Sequence, residues 1–231
     1  MVFPFWGRTA ALGGKRGRMR GVKWIFFDVG STLVDETAAY RRWAAEVLAG
    51  TDIAPAEFEA QRRCLAEAGD PGDGAVLAHF GLSDVPWHPE EEVPFPDAVP
   101  ALTELRRRGY SLGIIANQVA GLAERLARRG MGGLFPVIVT SAESGAKKPD
   151  AALFEAALRQ AGCLPAEAAM VGDRLDNDIA PAKRLGMRTV RILQGYGALS
   201  RPRNGWEEPE ETVRTLAELP GLFPEDKGET E

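Results

Sequence analysis

Cysteine is scarce: Cys64 and Cys163 are the only two in 231 residues. They are far apart and in no metal-ligand spacing, which excludes a disulfide framework and makes a reducing cytoplasm the expected setting. Histidine is equally rare, and His79 and His88 fall in no ligand pattern. No apolar run approaches the roughly 20 residues of a membrane span, so no membrane partner is expected. The GxxxxGK[ST] loop, HExxH and the GxSxG elbow are all absent. A formal net charge of −5 lacks the basic excess of a nucleic-acid surface, and no nucleic-acid partner is expected. The one basic stretch opens the chain: residues 1–23 carry six Lys and Arg and no acid. That stretch lacks the apolar core of a secretory signal. Residues 1–22 read as a disordered extension, with Met19 just before the first strand.

What is present is alternation. Buried-strand runs at Trp24–Asp28, Ser111–Ala116, Val137–Thr140, Ala168–Val171 and Arg188–Leu193 are separated by amphipathic stretches. The predicted helices cover Ala98–Arg108, Val119–Arg128, Ala151–Ala161 and Asp176–Leu185. Apolar strands alternating with helices predict an α/β, Rossmann-like three-layer core around a parallel sheet. One interval breaks the pattern. Thr37–Leu48, Ala56–Ala68 and Val76–Phe80 carry helical spacing with no strand, and the proline- and acid-rich PWHPEEEVPFPDAVP leads back to the core. The expected organisation is therefore a core of residues 23–36 and 97–231 with a small helical cap inserted over 37–96. After Gly195 only Val213–Leu219 is weakly apolar, and the chain ends in acidic residues read as mobile.

Ligands of parallel α/β sheets bind beyond the carboxyl ends of the strands, so the residues there are a test of function. They are Asp28 after the first strand, Ala116 and Asn117, Thr140 and Ser141, and Gly172 and Asp173. Lys147 and Lys148 precede the Ala151 helix, and GDRLDND packs Asp173, Asp176 and Asp178 together. Carboxylates gathered at one edge repel one another, and a hard cation such as Mg²⁺ resolves that. A lysine beside them suits an anionic substrate. Each residue alone has a bland role as a turn, cap or surface group; their joint placement points to a site. Trp43, His79, Trp87 and His88 are candidates for lining it from the cap.

These residues form four motifs: Asp28-Val29-Gly30-Ser31-Thr32-Leu33, LGIIANQ, Lys148-Pro149 before PDAALFEAAL, and VGDRLDNDIAPAKRLGM. Together they resemble the haloacid dehalogenase superfamily of hydrolases, and the insertion resembles its C1-type cap. The resemblance covers nearly all of Lys23 to Leu222. It implies a phosphatase of small phosphorylated metabolites, monomeric or homodimeric, with Asp28 as a nucleophile that forms a phospho-aspartyl intermediate. It implies Mg²⁺ held by Asp28, the Gly30 carbonyl, Asp173 and Asp178, with Lys148 holding the nucleophile and phosphoryl group. Two positions depart from the family pattern. Gly30 stands where a second aspartate works as acid and base, a contribution of about 10²–10⁴-fold. Ala116 stands where a hydroxyl binds the phosphoryl group. Ser31, Ala116 and Asn117 are expected to face the phosphoryl group instead, through backbone amides or the Asn117 side chain. Slow turnover, or restriction to good leaving groups, follows. A 2-haloacid dehalogenase, whose family also lacks the second aspartate, and a non-catalytic phosphoryl-ligand binder are the alternatives.

Overall fold

The computed structural model describes residues 19–225. Its elements run β1 (Trp24–Phe27), β2 (Val34–Asp35), α1 (Thr37–Val47), α2 (Pro55–Glu67), α3 (Asp73–Phe80), β3 (Val93–Pro94), α4 (Ala98–Arg107) and β4 (Ser111–Ala116). They continue with α5 (Leu122–Leu126), β5 (Val137–Thr140), α6 (Ser141–Ser144), α7 (Ala151–Ala161), β6 (Ala168–Gly172), α8 (Ala180–Arg184), β7 (Arg188–Ile192) and β8 (Glu211–Val213). Six strands form one sheet in the order β5-β4-β1-β6-β7-β8, and every pairing in it is parallel. The chain leaves β1 for β4 and β5 on one side, then returns to β6 and β7 on the other. The crevice at that reversal lies at the end of β1, between β4 and β6.

Side chains alternate across a strand, so β1 feeds two cores. Ile25 and Phe27 join the layer packed by Leu102 and Leu105 of α4, whereas Phe26 joins Leu153, Phe154, Ala157 and Leu158 of α7 on the opposite face. Fully burying such leucine and phenylalanine side chains stabilises by roughly 1.5–3 kcal/mol each. α7 is bounded clearly at both ends: the Asp150 carboxylate accepts from the Ala152 N–H at 2.9 Å, and Gly162 ends it at φ 64°. The helical insertion has its own core of Trp43, Val47, Leu48, Phe58, Val76 and Leu77. It joins the sheet domain through two chain segments, which pair as the antiparallel ribbon β2–β3.

Four expectations change. Residues 1–18 lie outside the described residues, as does the acidic end after 225, but Met19 is no part of a loose extension. It is fully buried in the main core, and its N–H donates to the Leu222 carbonyl at 3.2 Å. The helix expected over Val119–Arg128 starts at Leu122, because Gly121 takes a left-handed φ of 78° that a helix cannot include. The Asp176–Leu185 helix is preceded by a widened turn over Leu175–Ile179, where the Ile179 N–H reaches back five residues to the Arg174 carbonyl. After Gly195 the chain adds the sixth strand β8, and Val213, Leu216 and Leu219 are buried in the main core.

Candidate active site

The strand ends converge as the sheet order requires. Asp28 follows β1 and Asp173 follows the adjacent β6, and the Asp28 N–H itself donates to the Val171 carbonyl at 2.9 Å. Asp178 is brought back onto β6 by the widened turn. Its carboxylate lies over Gly172, where an added Cβ would meet Asp178 Oδ2 at 2.3 Å. The glycine of the Gly-Asp pair is thus needed for space. Carboxylate oxygens of Asp28, Asp173 and Asp178 all fall within 4.8 Å of one another. Among them sits one cation: Lys148 Nζ, 2.5 Å from Asp28 Oδ1 and 2.6 Å from Asp178 Oδ1, with its side chain 3% exposed. Asp176 stands apart, paired with Arg174 at 2.6 Å.

One ammonium among three carboxylates leaves the cluster short of positive charge. Burial pushes the Asp173 carboxyl well above its ordinary value, and the negative charges of Asp178 and Asp28 push it further. Burial raises Asp178 as well, with Lys148 opposing. Burial by itself would lower Lys148, but Asp178 and Asp28 outweigh it and hold the ammonium firmly protonated. A ring of hard oxygen donors that is costly to ionise without a cation fits a magnesium-type ion and not a soft metal.

Of the positions expected to face a phosphoryl group, Ser31 and Asn117 line the cavity over the cluster. Asn117 uses both ends of its amide on the Lys148 main chain: Oδ1 accepts from the Lys148 N–H at 2.8 Å and Nδ2 donates to its carbonyl at 3.0 Å. Through these bonds it positions the lysine, and its side chain also lines the cavity over the cluster. Ala116 is fully buried at the end of β4, so its side chain contributes only packing. Ser31 sits at φ 52°, a left-handed conformation unusual for a residue other than glycine, and its hydroxyl donates to Glu36 Oε2 at 2.9 Å. Gly30 has no side chain, and the space beside it is filled by Glu36: an added Cβ would lie 2.3 Å from Glu36 Oε1. Replacing Gly30 by Asp therefore requires the Glu36 side chain to move.

A cavity of about 650 Å³ opens over this cluster, with Asp28, Gly30, Ser31, Asn117, Lys148, Asp173 and Asp178 in its floor. Its cap side includes Tyr40, Trp43, Asp73 and Trp87. Trp43 and Trp87 are anchored through their indole N–H groups to Asp84 at 2.9 Å and Glu92 at 2.8 Å. Neither expected histidine belongs to this lining. His79 is exposed, and the His88 ring nitrogens lie 2.9 Å from Glu46 and 3.1 Å from Glu90. Sequence reasoning missed Glu36, Tyr40, Asp73 and Arg174, which border the cavity. Burial drives the Glu36 carboxyl up to about 8, against the opposing Ser31 hydrogen bond.

Cap and core are also fastened beside the cavity. The Arg62 guanidinium of α2 stacks on the Tyr40 ring at 3.7 Å and on Tyr196 of the core at 4.1 Å, and it pairs with Asp73 at 3.3 Å. Such stacking by a desolvated cation contributes on the order of 2 kcal/mol. The Ser200 hydroxyl adds a hydrogen bond to the Ala66 carbonyl at 2.9 Å. Among the described residues no helix is long and apolar enough to cross a membrane.

Comparison with known proteins agrees with this geometry. The chain is 41% identical over 127 residues to a glyceraldehyde 3-phosphate phosphatase of Methanopyrus kandleri, a match covering 54% of each chain. It thus spans about half the length of that relative. It is 30% identical over 197 residues to the protein of the same name from Methanothermobacter thermautotrophicus, covering 74% of this chain and 85% of the relative. A phosphatase structure from Thermococcus onnurineus superposes with a TM-score of 0.61 at 25% identity, covering 88% of this chain and all of that one. The family model for haloacid dehalogenase-like hydrolases matches residues 22–186, from just before β1 through α8, and on that match the chain belongs to the haloacid dehalogenase-like hydrolases.

Proposed function

We propose that this chain is a Mg²⁺-dependent phosphatase of small phosphorylated metabolites, with Asp28 as the nucleophile and the insertion over 37–96 as a cap on the substrate. The observation that carries this reading is the single buried Lys148 among Asp28, Asp173 and Asp178 at the crevice of a parallel sheet. Mg²⁺ would be held by Asp28, the Gly30 carbonyl, Asp173 and Asp178, and when bound it neutralises charge on the phosphoryl oxygens. An Asp28 oxygen attacks phosphorus and the bond to the leaving oxygen breaks, giving a phospho-aspartate that water then hydrolyses to phosphate. Lys148 draws the phosphoryl oxygens toward the nucleophile, and Asn117 fixes the lysine's main chain. The cap aromatics close the cavity above the reacting bond.

The names of the relatives support a small phosphate ester, and glyceraldehyde 3-phosphate belongs in the first substrate panel. The test is phosphate release from that ester, phosphoserine, acetyl phosphate and sugar phosphates, with Mg²⁺ and with EDTA. Metal-dependent release that disappears in Asp28→Asn is the expected result. Halide release from 2-haloacids that is indifferent to EDTA contradicts it. So does binding of these esters with no turnover.

A further inference from the structure

The acid–base aspartate that the family pattern puts at position 30 is absent, yet a carboxyl group is not. Glu36 comes from the N-terminal end of α1, six residues on, and places its head where a side chain on Gly30 would begin. A Cβ built at Gly30 lies 2.3 Å from Oε1, 2.7 Å from Cδ and 2.8 Å from Oε2. The ordinary task of a residue before a helix is to cap it, but the Glu36 side chain makes no capping hydrogen bond to α1. Its one side-chain partner among the described residues is the hydroxyl of Ser31, on Oε2. That hydroxyl is aimed by a left-handed backbone whose strain is of the order of 1–3 kcal/mol, the kind held where surrounding structure over-determines it. Oε1 is left free, and Glu36 lines the same cavity as Asp28 and Lys148.

We propose that Glu36 replaces the missing side chain of position 30 as the catalytic acid and base. This rests on the phosphatase reading above. In the first half-reaction an Asp28 oxygen bonds to phosphorus while the bond from phosphorus to the ester oxygen breaks, and the Glu36 carboxyl gives its proton to that oxygen. In the second, the Glu36 carboxylate takes a proton from water as the water oxygen bonds to phosphorus. The bond from phosphorus to Asp28 then breaks, which releases phosphate and restores the Glu36 carboxyl and the Asp28 carboxylate. Because Glu36 follows β2 at the start of the cap, the proton-handling group would be carried by the hinge between cap and core.

Leaving-group dependence provides the test. Glu36→Gln, wild type and Asp28→Asn are compared on an alkyl phosphate and on 4-nitrophenyl phosphate at saturating Mg²⁺. Loss of a general acid lowers kcat/KM on the alkyl ester by about 10²–10⁴-fold and leaves kcat/KM on the nitrophenyl ester within about tenfold, since nitrophenolate leaves without a proton. Loss of the base slows hydrolysis of the phospho-aspartate, a step common to both esters, so kcat on the nitrophenyl ester falls while its kcat/KM does not. In a second arm, Glu36→Ala vacates the space, and adding Gly30→Asp to it recovers alkyl-ester turnover by at least tenfold, on the same scale of acid catalysis. Equal losses of kcat/KM on both esters, no loss, or no recovery in the double variant overturn the role of Glu36 while leaving the phosphatase reading standing. Wild-type turnover that is absent on both esters, or that survives Asp28→Asn, overturns that reading and this proposal together.

Discussion

Lys148→Met is the sharpest structural perturbation available, because it removes the only ammonium that the described residues place inside the carboxylate cluster while keeping most of the side-chain volume. In the wild type, Nζ lies 2.5 Å from Asp28 and 2.6 Å from Asp178, and the lysine, Asp28 and Asp178 side chains are 3%, 13% and 1% exposed. Breaking a buried pair by deleting one partner costs about 3–5 kcal/mol, because the other charge stays buried. At about 2–4 °C per kcal/mol for a chain of this size, Tm should fall by roughly 6–20 °C in EDTA at pH 8. The pH dependence has a definite sign. Asp173 and Asp178 already titrate above their ordinary values, so their ionisation costs stability as pH rises above the unfolded carboxylate value near 3.9. Losing Lys148 raises Asp178 further, because the ammonium is what opposes burial there. The gap between variant and wild type should therefore widen from about pH 5 to pH 8. Added Mg²⁺ should recover more stability in the variant than in the wild type, because a cation then takes the lysine's electrostatic place. A loss below about 1 kcal/mol at pH 8, the size of a surface pair, would refute the buried-cluster reasoning. A gap that does not change with pH would do the same.

Asn117→Ala removes two hydrogen bonds to the Lys148 main chain and should cost about 1–3 kcal/mol in chemical denaturation, with kcat falling more than KM rises. Unchanged kinetics would mean that the lysine needs no such clamp. Gly172→Ala puts a methyl 2.3 Å from Asp178 Oδ2 and should weaken Mg²⁺ binding, measured by calorimetry, by about tenfold or more; unaltered affinity would remove Asp178 from the metal site. His88 is raised above its ordinary value mainly by its hydrogen bond to Glu46. Its contribution to stability should be complete below about pH 6.5 and disappear as pH rises through the higher folded value. His88→Asn should abolish that pH dependence in thermal melts, and a parallel pair of curves would contradict the assignment.

The strands and the acidic cluster were legible in the sequence because both are local patterns that the sheet then juxtaposes. Phe26 and Phe27 lie in a run of four apolar residues, and such a run is ambiguous by itself; the repeated alternation with helices resolved it. Asp28, Lys148, Asp173 and Asp178 were readable because each lies at or near a strand's carboxyl end. β8 was not readable: Glu-Thr-Val is too short for a period, and its place follows from the partner β7. The widened turn over Leu175–Ile179 was equally invisible, since spacing alone describes a continuous helix there. Glu36 was missed for another reason. Nothing in its neighbourhood marks a polar residue after a two-residue strand, and its meaning depends on the space beside Gly30, which Glu36 fills only once the chain turns back on itself. Asn117 was legible at the end of β4, but its clamp on the Lys148 main chain was not, because the two positions meet only once the sheet is formed.

The central claim, that Asp28 attacks phosphorus and that water later attacks phosphorus as well, is tested by where the oxygen of water ends up. Turnover of a phosphate ester in water enriched with heavy oxygen, followed by mass analysis of the released phosphate and of the peptide containing Asp28, reads this directly. The account predicts heavy oxygen in the phosphate and none above background in Asp28. Heavy oxygen accumulating in the Asp28 carboxylate over several turnovers would instead mean that water attacks the aspartyl carbon of an ester intermediate, as in a dehalogenase, and would contradict it.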